Sequence, residues 1–257
     1  MWEVLVIYFS ATGNSKYVAK QLAEDEERLI FIPDAVDQGT FVFTVESNEK
    51  LGIISPTYNW TLPSIVEDFL KKMELRYTDR PYMYYVGTFG TTTGAAATMA
   101  DRILKAKGLA FDAMFDVKMP DTWTPVFDLS EEERVSDMNQ EADLQIKQLR
   151  ANVRRKVKGK HMHLTTPYFT GVIGKAIYDK YTRNTDHFTV ESSCIGCGLC
   201  AGKCPVHAIE IVNKHPVWVK EKCTMCLGCL HRCPVFAIQY GKNTKKHGQY
   251  INPNVKV

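Results

Sequence analysis

Eight cysteines, all between residues 194 and 233, constrain this chain more than any other feature, because the 193 residues before them contain none. They fall into two copies of one pattern, C-x2-C-x2-C-x3-C-P: CIGCGLCAGKCP at 194–205 and CTMCLGCLHRCP at 223–234. Each copy runs on into a similar tetrapeptide, VHAI or VFAI, so the segment repeats with a period of 29 residues. Three thiolates spaced two residues apart can wrap one iron–sulfur cube, and the fourth, redirected by the proline, reaches the neighbouring cube. That crossing assigns Cys194, Cys197, Cys200 and Cys233 to one [4Fe-4S] cluster, and Cys223, Cys226, Cys229 and Cys204 to the other. Zinc also uses paired C-x2-C motifs, but rarely with four cysteines in 11 residues, twice over, each closed by proline. Disulfides are disfavoured in a chain read as cytosolic, where thiols stay reduced.

The cysteine-free region has a different rhythm. Short runs rich in Val, Ile, Phe and Tyr predict strands at 3–9, 28–32, 51–55 and 82–89, with a fifth within 110–119. Helices are expected from Ser15 to Asp25, Pro63 to Met73 and Ala95 to Lys107. A fourth is expected after Ser130, whose hydroxyl can cap it while Glu131, Glu132 and Glu133 suit its positive end, and it should run to about Lys158. Strands alternating with helices build a parallel sheet covered on both faces, here an α/β, doubly wound, five-stranded sheet. The chain then divides into an N-terminal module at 1–158, a packed connector at 159–186, the cysteine module at 187–240 and a mobile tail at 241–257.

Three loops leave the strands at the edge where doubly wound sheets bind ligands. SATGNS (10–15) precedes the first helix, where free N–H groups and the helix dipole attract phosphate. Gly13 lets the backbone approach, and Ser10, Thr12, Asn14 and Ser15 add hydrogen-bonding groups; a simple helix cap is the competing account. The chain has no G-x-x-x-x-G-K-[ST] and no G-x-G-x-x-G, so a single terminal phosphate suits it better than a triphosphate or pyrophosphate. ISPTYNW (54–60) offers Tyr58 and Trp60, and VGTFGTTTG (86–94) offers Phe89 among small residues, a set suited to a flat heterocycle. Together these loops resemble the flavodoxin pattern over roughly residues 1–158, which implies FMN. By that resemblance Ser10, Thr12, Gly13, Asn14 and Ser15 hold the phosphate, and Pro56, Thr57, Tyr58, Asn59 and Trp60 flank the ring. Thr88, Phe89, Gly90 and Thr91 line its other edge, although TFGTTTG replaces the acidic, Tyr-containing stretch common in free flavodoxins.

The cysteine module is similar to a bacterial two-cluster ferredoxin, a small α+β domain, over about residues 187–240. Gly196, Gly198, Gly202 and Gly228 fit that resemblance, since backbone amides must approach the sulfides closely. The whole chain resembles the flavodoxin and ferredoxin fusion proteins of anaerobic microorganisms. The expected function is a relay between two [4Fe-4S] clusters and FMN, and on to or from a redox partner protein. Two alternatives stand beside it: an FMN-dependent reductase of a small-molecule substrate, and a redox sensor. No residue pattern proposes a general acid, base or nucleophile. A net charge of +3 is too small to argue for nucleic acid, and the basic run at 150–160 reads as a helix end. No apolar stretch is long enough to span a membrane, and no signal peptide is evident, so a cytoplasmic protein is expected. His161 and His163 read as surface residues, and Trp123 as packing rather than a lid.

Overall fold

A computed structural model describes residues 4–23 and 28–257. Glu3 and Asp25, the expected start of a strand and end of a helix, lie outside the described residues. In chain order the front elements are β1 (Val4–Tyr8), α1 (Asn14–Leu22), β2 (Leu29–Phe31), α2 (Ile32–Asp37), β3 (Val42–Thr44), β4 (Lys50–Pro56), α3 (Ser64–Lys72), β5 (Glu74–Arg76), β6 (Tyr82–Phe89), α4 (Ala96–Lys105), β7 (Ala113–Lys118), α5 (Glu132–Arg154) and β8 (Gly159–His161). Then follow α6 (Tyr168–Ile177), a π turn at Tyr178–Thr182, β9 (Phe188–Val190), α7 (Leu199–Gly202), β10 (Ile209–Val212), β11 (His215–Trp218), α8 (Gly228–His231), β12 (Ile238–Tyr240) and α9 (Thr244–His247).

Six strands form one parallel sheet in the order β2-β1-β4-β6-β7-β8. Residues alternate across it, as strands require: Leu5, Ile7 and Phe9 pack with α2, α3 and α4, while Val4, Val6 and Tyr8 pack with α1 and α5. The sheet has one strand more than the five expected. Helix α5 ends at Arg154, and positive φ at Lys156 (53°) and Gly159 (105°) turns the chain extended, so that Gly159 pairs with Ala113. The same helix starts without the expected cap. Ser130 Oγ donates to Asp128 Oδ1 at 2.7 Å, a nearer acceptor, and Glu131 takes the cap position with no side-chain hydrogen bond.

The connector packs closely. Helix α6 turns Gly171 toward Ala95 and Gly174 toward Asn59 and Trp60; a Cβ would lie 2.5 Å from Ala95 Cβ at the first and 2.5 Å from Asn59 O at the second. His161 stacks on Phe115, and His163 donates from its backbone N to the buried Asp116 carboxylate at 2.5 Å, with Nδ1 2.9 Å from the same group. In the cysteine module β10 pairs with β11 and β9 with β12, both antiparallel, around Ala208, Met225, Leu227, Leu230 and Ile238.

The tail at 241–257 is not the loose end expected from its lysines. Tyr250 and Asn252 are buried, and Asn252 N donates to Thr12 O at 2.8 Å. The reason is a polar socket on the N-terminal module, described below. Among the described residues, no helix is long and apolar enough to cross a membrane.

Candidate functional site

Strands β2 and β4 flank β1 on opposite sides, so the loops after β1 and β4 diverge and leave a crevice at the carboxyl edge of the sheet. A cavity of about 310 Å³ occupies it. Thirteen of the fourteen candidate residues in the three loops line this cavity, and Gly13 is the exception. Its φ of 101° turns the chain into α1, and its missing Cβ leaves room for the tail: a Cβ there would meet Asn252 Cβ and Val255 Cγ2 at 2.9 Å.

At the helix end of the cavity, hydrogen bonds fix the polar groups in place. Gly13 N donates to Ser10 Oγ at 3.1 Å, and the Ser15 and Thr88 hydroxyls share a bond of 2.7 Å. Asn14 Nδ2 donates to Pro120 O at 3.1 Å, while its Oδ1 accepts from Tyr250 OH at 2.8 Å and Asn252 Nδ2 at 3.2 Å. The tail therefore holds Asn14, and Asn14 ties the loop after β1 to the segment after β7. Sequence reasoning missed this arm, since nothing local marks Tyr250 or Asn252.

The aromatic end is shaped by backbone strain and close glycines. Asn59 and Trp60 both adopt left-handed backbone, with φ of 49° and 66°. They are held there by Asn59 Nδ2 donating to Gly174 O at 2.7 Å and by Gly94, where a Cβ would strike Trp60 O at 2.4 Å. Trp60 stays 45% exposed, whereas Tyr58 is half-buried with its ring edge against Phe9. Burial pushes the Tyr58 phenol well above its ordinary pKa, and nearby Cys226 adds to the effect. Thr57 Oγ1 is buried on the cavity wall with no hydrogen-bond partner among the described residues. Gly90 lets the loop after β6 touch Asp121, where a Cβ would sit 2.2 Å from the Asp121 Cβ. Burial raises the pKa of Asp121 from its ordinary value, and its Oδ1 accepts from Trp123 N at 3.1 Å. Trp123 does two things: it lines the cavity and packs on Tyr240 at 5.7 Å.

The far wall comes from the cysteine half of the chain. Tyr178, Thr182, Met225, Cys226 and Leu227 face the same cavity as the three loops. Tyr178 OH donates to Thr224 O at 2.5 Å, which fixes the connector to the second cysteine motif. His231, on the same motif, is buried; Nε2 donates to Thr122 O at 2.9 Å and Nδ1 accepts from Tyr250 N at 3.1 Å. Burial pulls its pKa down to about 4, so it is neutral at pH 7.

The eight cysteines separate into the two groups read from their spacing. Cys194, Cys197, Cys200 and Cys233 line one small cavity, and Cys204, Cys223, Cys226 and Cys229 line another. The repeat persists in detail: Ala208 N donates to Cys204 Sγ and Ala237 N to Cys233 Sγ, both at 3.2 Å. Burial pushes the Cys223 thiol up to about 12 and also raises Cys226 and Cys229. Among the described residues, no three His, Cys, Asp or Glu side chains are placed to hold a single metal ion.

Residues 5–146, more than half of the chain, match the flavodoxin domain family. The chain belongs to that family. Residues 188–234 match the 4Fe-4S dicluster domain family. None of the curated proteins matches the chain. Three solved structures are similar to part of the chain. Rubredoxin oxygen:oxidoreductase from the anaerobe Desulfovibrio gigas is 15% identical over 59% of this chain and 37% of its own, with a TM-score of 0.32. The Flv1 flavodiiron core from Synechocystis is 18% identical over 59% and 36%, with a TM-score of 0.33. A short-chain flavodoxin associated with a bacterial microcompartment is 17% identical over 58% and 99%, with a TM-score of 0.31. The chain thus spans little more than a third of the first two. The two family matches together support an electron-transfer function that combines flavin and iron–sulfur chemistry.

Proposed function

We propose that the chain relays electrons between two [4Fe-4S] clusters, held by the two cysteine groups, and FMN held in the 310 Å³ cavity. One observation carries this reading. The loop bearing Cys226 walls the same cavity as the SATGNS and PTYNW loops, so a cluster ligand stands beside the proposed flavin with no intervening element.

The residues present fit FMN. Ser10, Thr12, Asn14 and Ser15 gather at the N-terminus of α1, where free N–H groups favour a phosphate. The unpartnered Thr57 hydroxyl supplies a buried polar contact for the ring, and Tyr58, Trp60 and Trp123 supply aromatic faces. Clusters when bound carry electrons singly, and a flavin accepts them singly and releases them as one or two. The protein's share is to position: Tyr178 ties the second motif to the connector, His231 ties it to the N-terminal module, and Met225 and Leu227 keep water from the gap. A redox partner protein is the proposed donor or acceptor at the exposed Cys197 side.

A second reading, reduction of a small molecule by the flavin, is favoured by one group. The Asp121 carboxyl lies on the cavity wall with a raised pKa and could supply a proton there. Anaerobic purification followed by iron, sulfide and flavin analysis tests the primary reading, which requires about eight iron, eight sulfide and one FMN per chain. Full iron without flavin after reconstitution would remove FMN as the terminus.

A further inference from the structure

The side chain of Arg232 reaches three parts of the molecule at once. Nη2 donates to the carbonyl of Ala11 in the SATGNS loop. Nη1 donates to Lys203 O at 3.2 Å, one residue before Cys204. Nε is buried with no hydrogen-bond partner among the described residues. A Cβ on Gly228 would lie 3.3 Å from Nη1 and 3.5 Å from Cys226 Sγ, so the guanidinium and that sulfur flank the same glycine.

The 29-residue repeat makes this position informative. Lys203 is the matching residue of the first motif, and it is exposed. The repeat therefore keeps a cation before each fourth cysteine but partly buries only the second, turning it toward Gly228, Cys226 and the SATGNS loop. An arginine cannot shed its charge in a protein, and a buried charge acts across a lower effective dielectric than an exposed one. A cluster becomes more negative by one charge on reduction, so a fixed cation beside it favours the reduced form.

We propose that Arg232 is an electrostatic positioning residue that makes the Cys204, Cys223, Cys226 and Cys229 group easier to reduce than the Cys194 group, with its Nε–H donated to the sulfur of that cluster. This inference rests on the relay reading and gives it a direction. Electrons enter at the exposed Cys194 group from an external low-potential one-electron donor and pass inward to the Cys223 group and the flavin. Each inward step is a single electron lost by the outer group and gained by the inner one, with no bond made or broken.

The test is an anaerobic redox titration of the full chain followed by electron paramagnetic resonance, with Cys197→Ala and Cys226→Ala used to assign the two signals. Wild type should show the Cys223 group reduced first. Arg232→Gln should cut the preference of the electron for that group by about tenfold or more, the loss expected from removing a charge in partial burial. The Cys194 group, whose Cys233 follows Arg232 in the chain, should move less than the Cys223 group, and Arg232→Lys should restore most of the preference. Lys203→Gln, at the exposed position, should change neither potential. Wild-type midpoints in equal or reversed order overturn the proposal, whether or not the Gln variant assembles its clusters. Midpoints that stay put, or move equally, in Arg232→Gln with full iron and flavin also overturn it while leaving the relay intact. Wild-type protein that binds one cluster or no flavin overturns the relay itself.

Discussion

The two cysteine motifs share one backbone and differ in what surrounds it. In the first, Gly196 and Gly198 take the left-handed turns between cysteines, with φ of 66° and 76°. In the second, the matching positions are Met225 and Leu227, with φ of 55° and 52°. Left-handed backbone costs an L-residue roughly 1–2 kcal/mol, so the second motif accepts strain that the first avoids. The side chains account for it: Met225 and Leu227 are buried and form cavity wall, whereas Cys197 and Ile195 of the first motif face solvent. The shared cysteine spacing goes with the shared turn, and the neighbour of each motif goes with the residue that occupies it. On the proposed relay, one motif is an entrance and the other a partition.

The sharpest way to break that division is to remove one cysteine from each side. On the proposed relay, Cys226→Ala should lose about four of about eight irons and slow flavin reduction by an external donor by roughly 1000-fold. That is the change expected when a hop at millimolar effective concentration becomes an encounter with micromolar donor. Cys197→Ala should lose about four irons as well, yet slow the flavin less, because the inner group remains against the cavity. Iron analysis with anaerobic stopped-flow absorbance checks both, and equal slowing would mean that inner and outer are wrong labels.

A smaller effect should come from the tail, which holds Asn14 of the SATGNS loop through Tyr250 and Asn252 and reaches Leu230, Cys233 and His231 of the second motif through Gln249 and the Tyr250 backbone. Tyr250→Phe and Asn252→Ala each remove a donor to Asn14 Oδ1. Each variant leaves Asn14 Oδ1 one donor, so the cost is that of one hydrogen bond, about 0.5–1.5 kcal/mol, or up to around tenfold in the flavin dissociation constant if Asn14 shifts. Fluorescence titration of flavin into apoprotein measures it. Iron content should be unaffected, and a loss of iron in either variant would place the tail's role in the cysteine module instead.

What the sequence made legible was whatever depends on local spacing. The alternation of Val4, Val6 and Tyr8 with Leu5, Ile7 and Phe9 marks a strand buried on both faces, and the spacing of the cysteines separates two groups that the fold keeps separate. Thirteen of fourteen loop residues line one cavity because all three loops follow strands of one parallel sheet, which brings them to one edge. Contacts made across the chain were silent. Tyr250 and Asn252 stand among lysines and look like solvent-facing tail; only the socket around Asn14, more than 230 residues earlier, buries them. Ser130 shows a local rule losing to a nearer partner, since its hydroxyl meets Asp128 before it can meet the helix. Nothing in CTMCLGC announces that Met and Leu occupy turns where its twin uses glycine, because their compensation comes from the cavity they enclose.

That compensation allows the finest test, a swap of residue types between the twin turns. Gly196→Ala adds a left-handed Cβ that would meet Lys214 O at 2.6 Å, in a motif that does not line the 310 Å³ cavity. It should destabilise the folded protein by about 2 kcal/mol from strain alone. Met225→Gly runs the other way: it relieves about 1–2 kcal/mol of strain but removes a buried side chain worth roughly 1.5–3 kcal/mol. The net loss should be about 1 kcal/mol or less, accompanied by faster flavin release as the wall opens. Denaturant melts of the anaerobic holoprotein give the first quantity and flavin dissociation kinetics the second. If Met225→Gly stabilised the protein and left flavin release unchanged, the strained turn would have no purpose in the cavity, and the contrast between entrance and partition would reduce to the exposure of the cysteines.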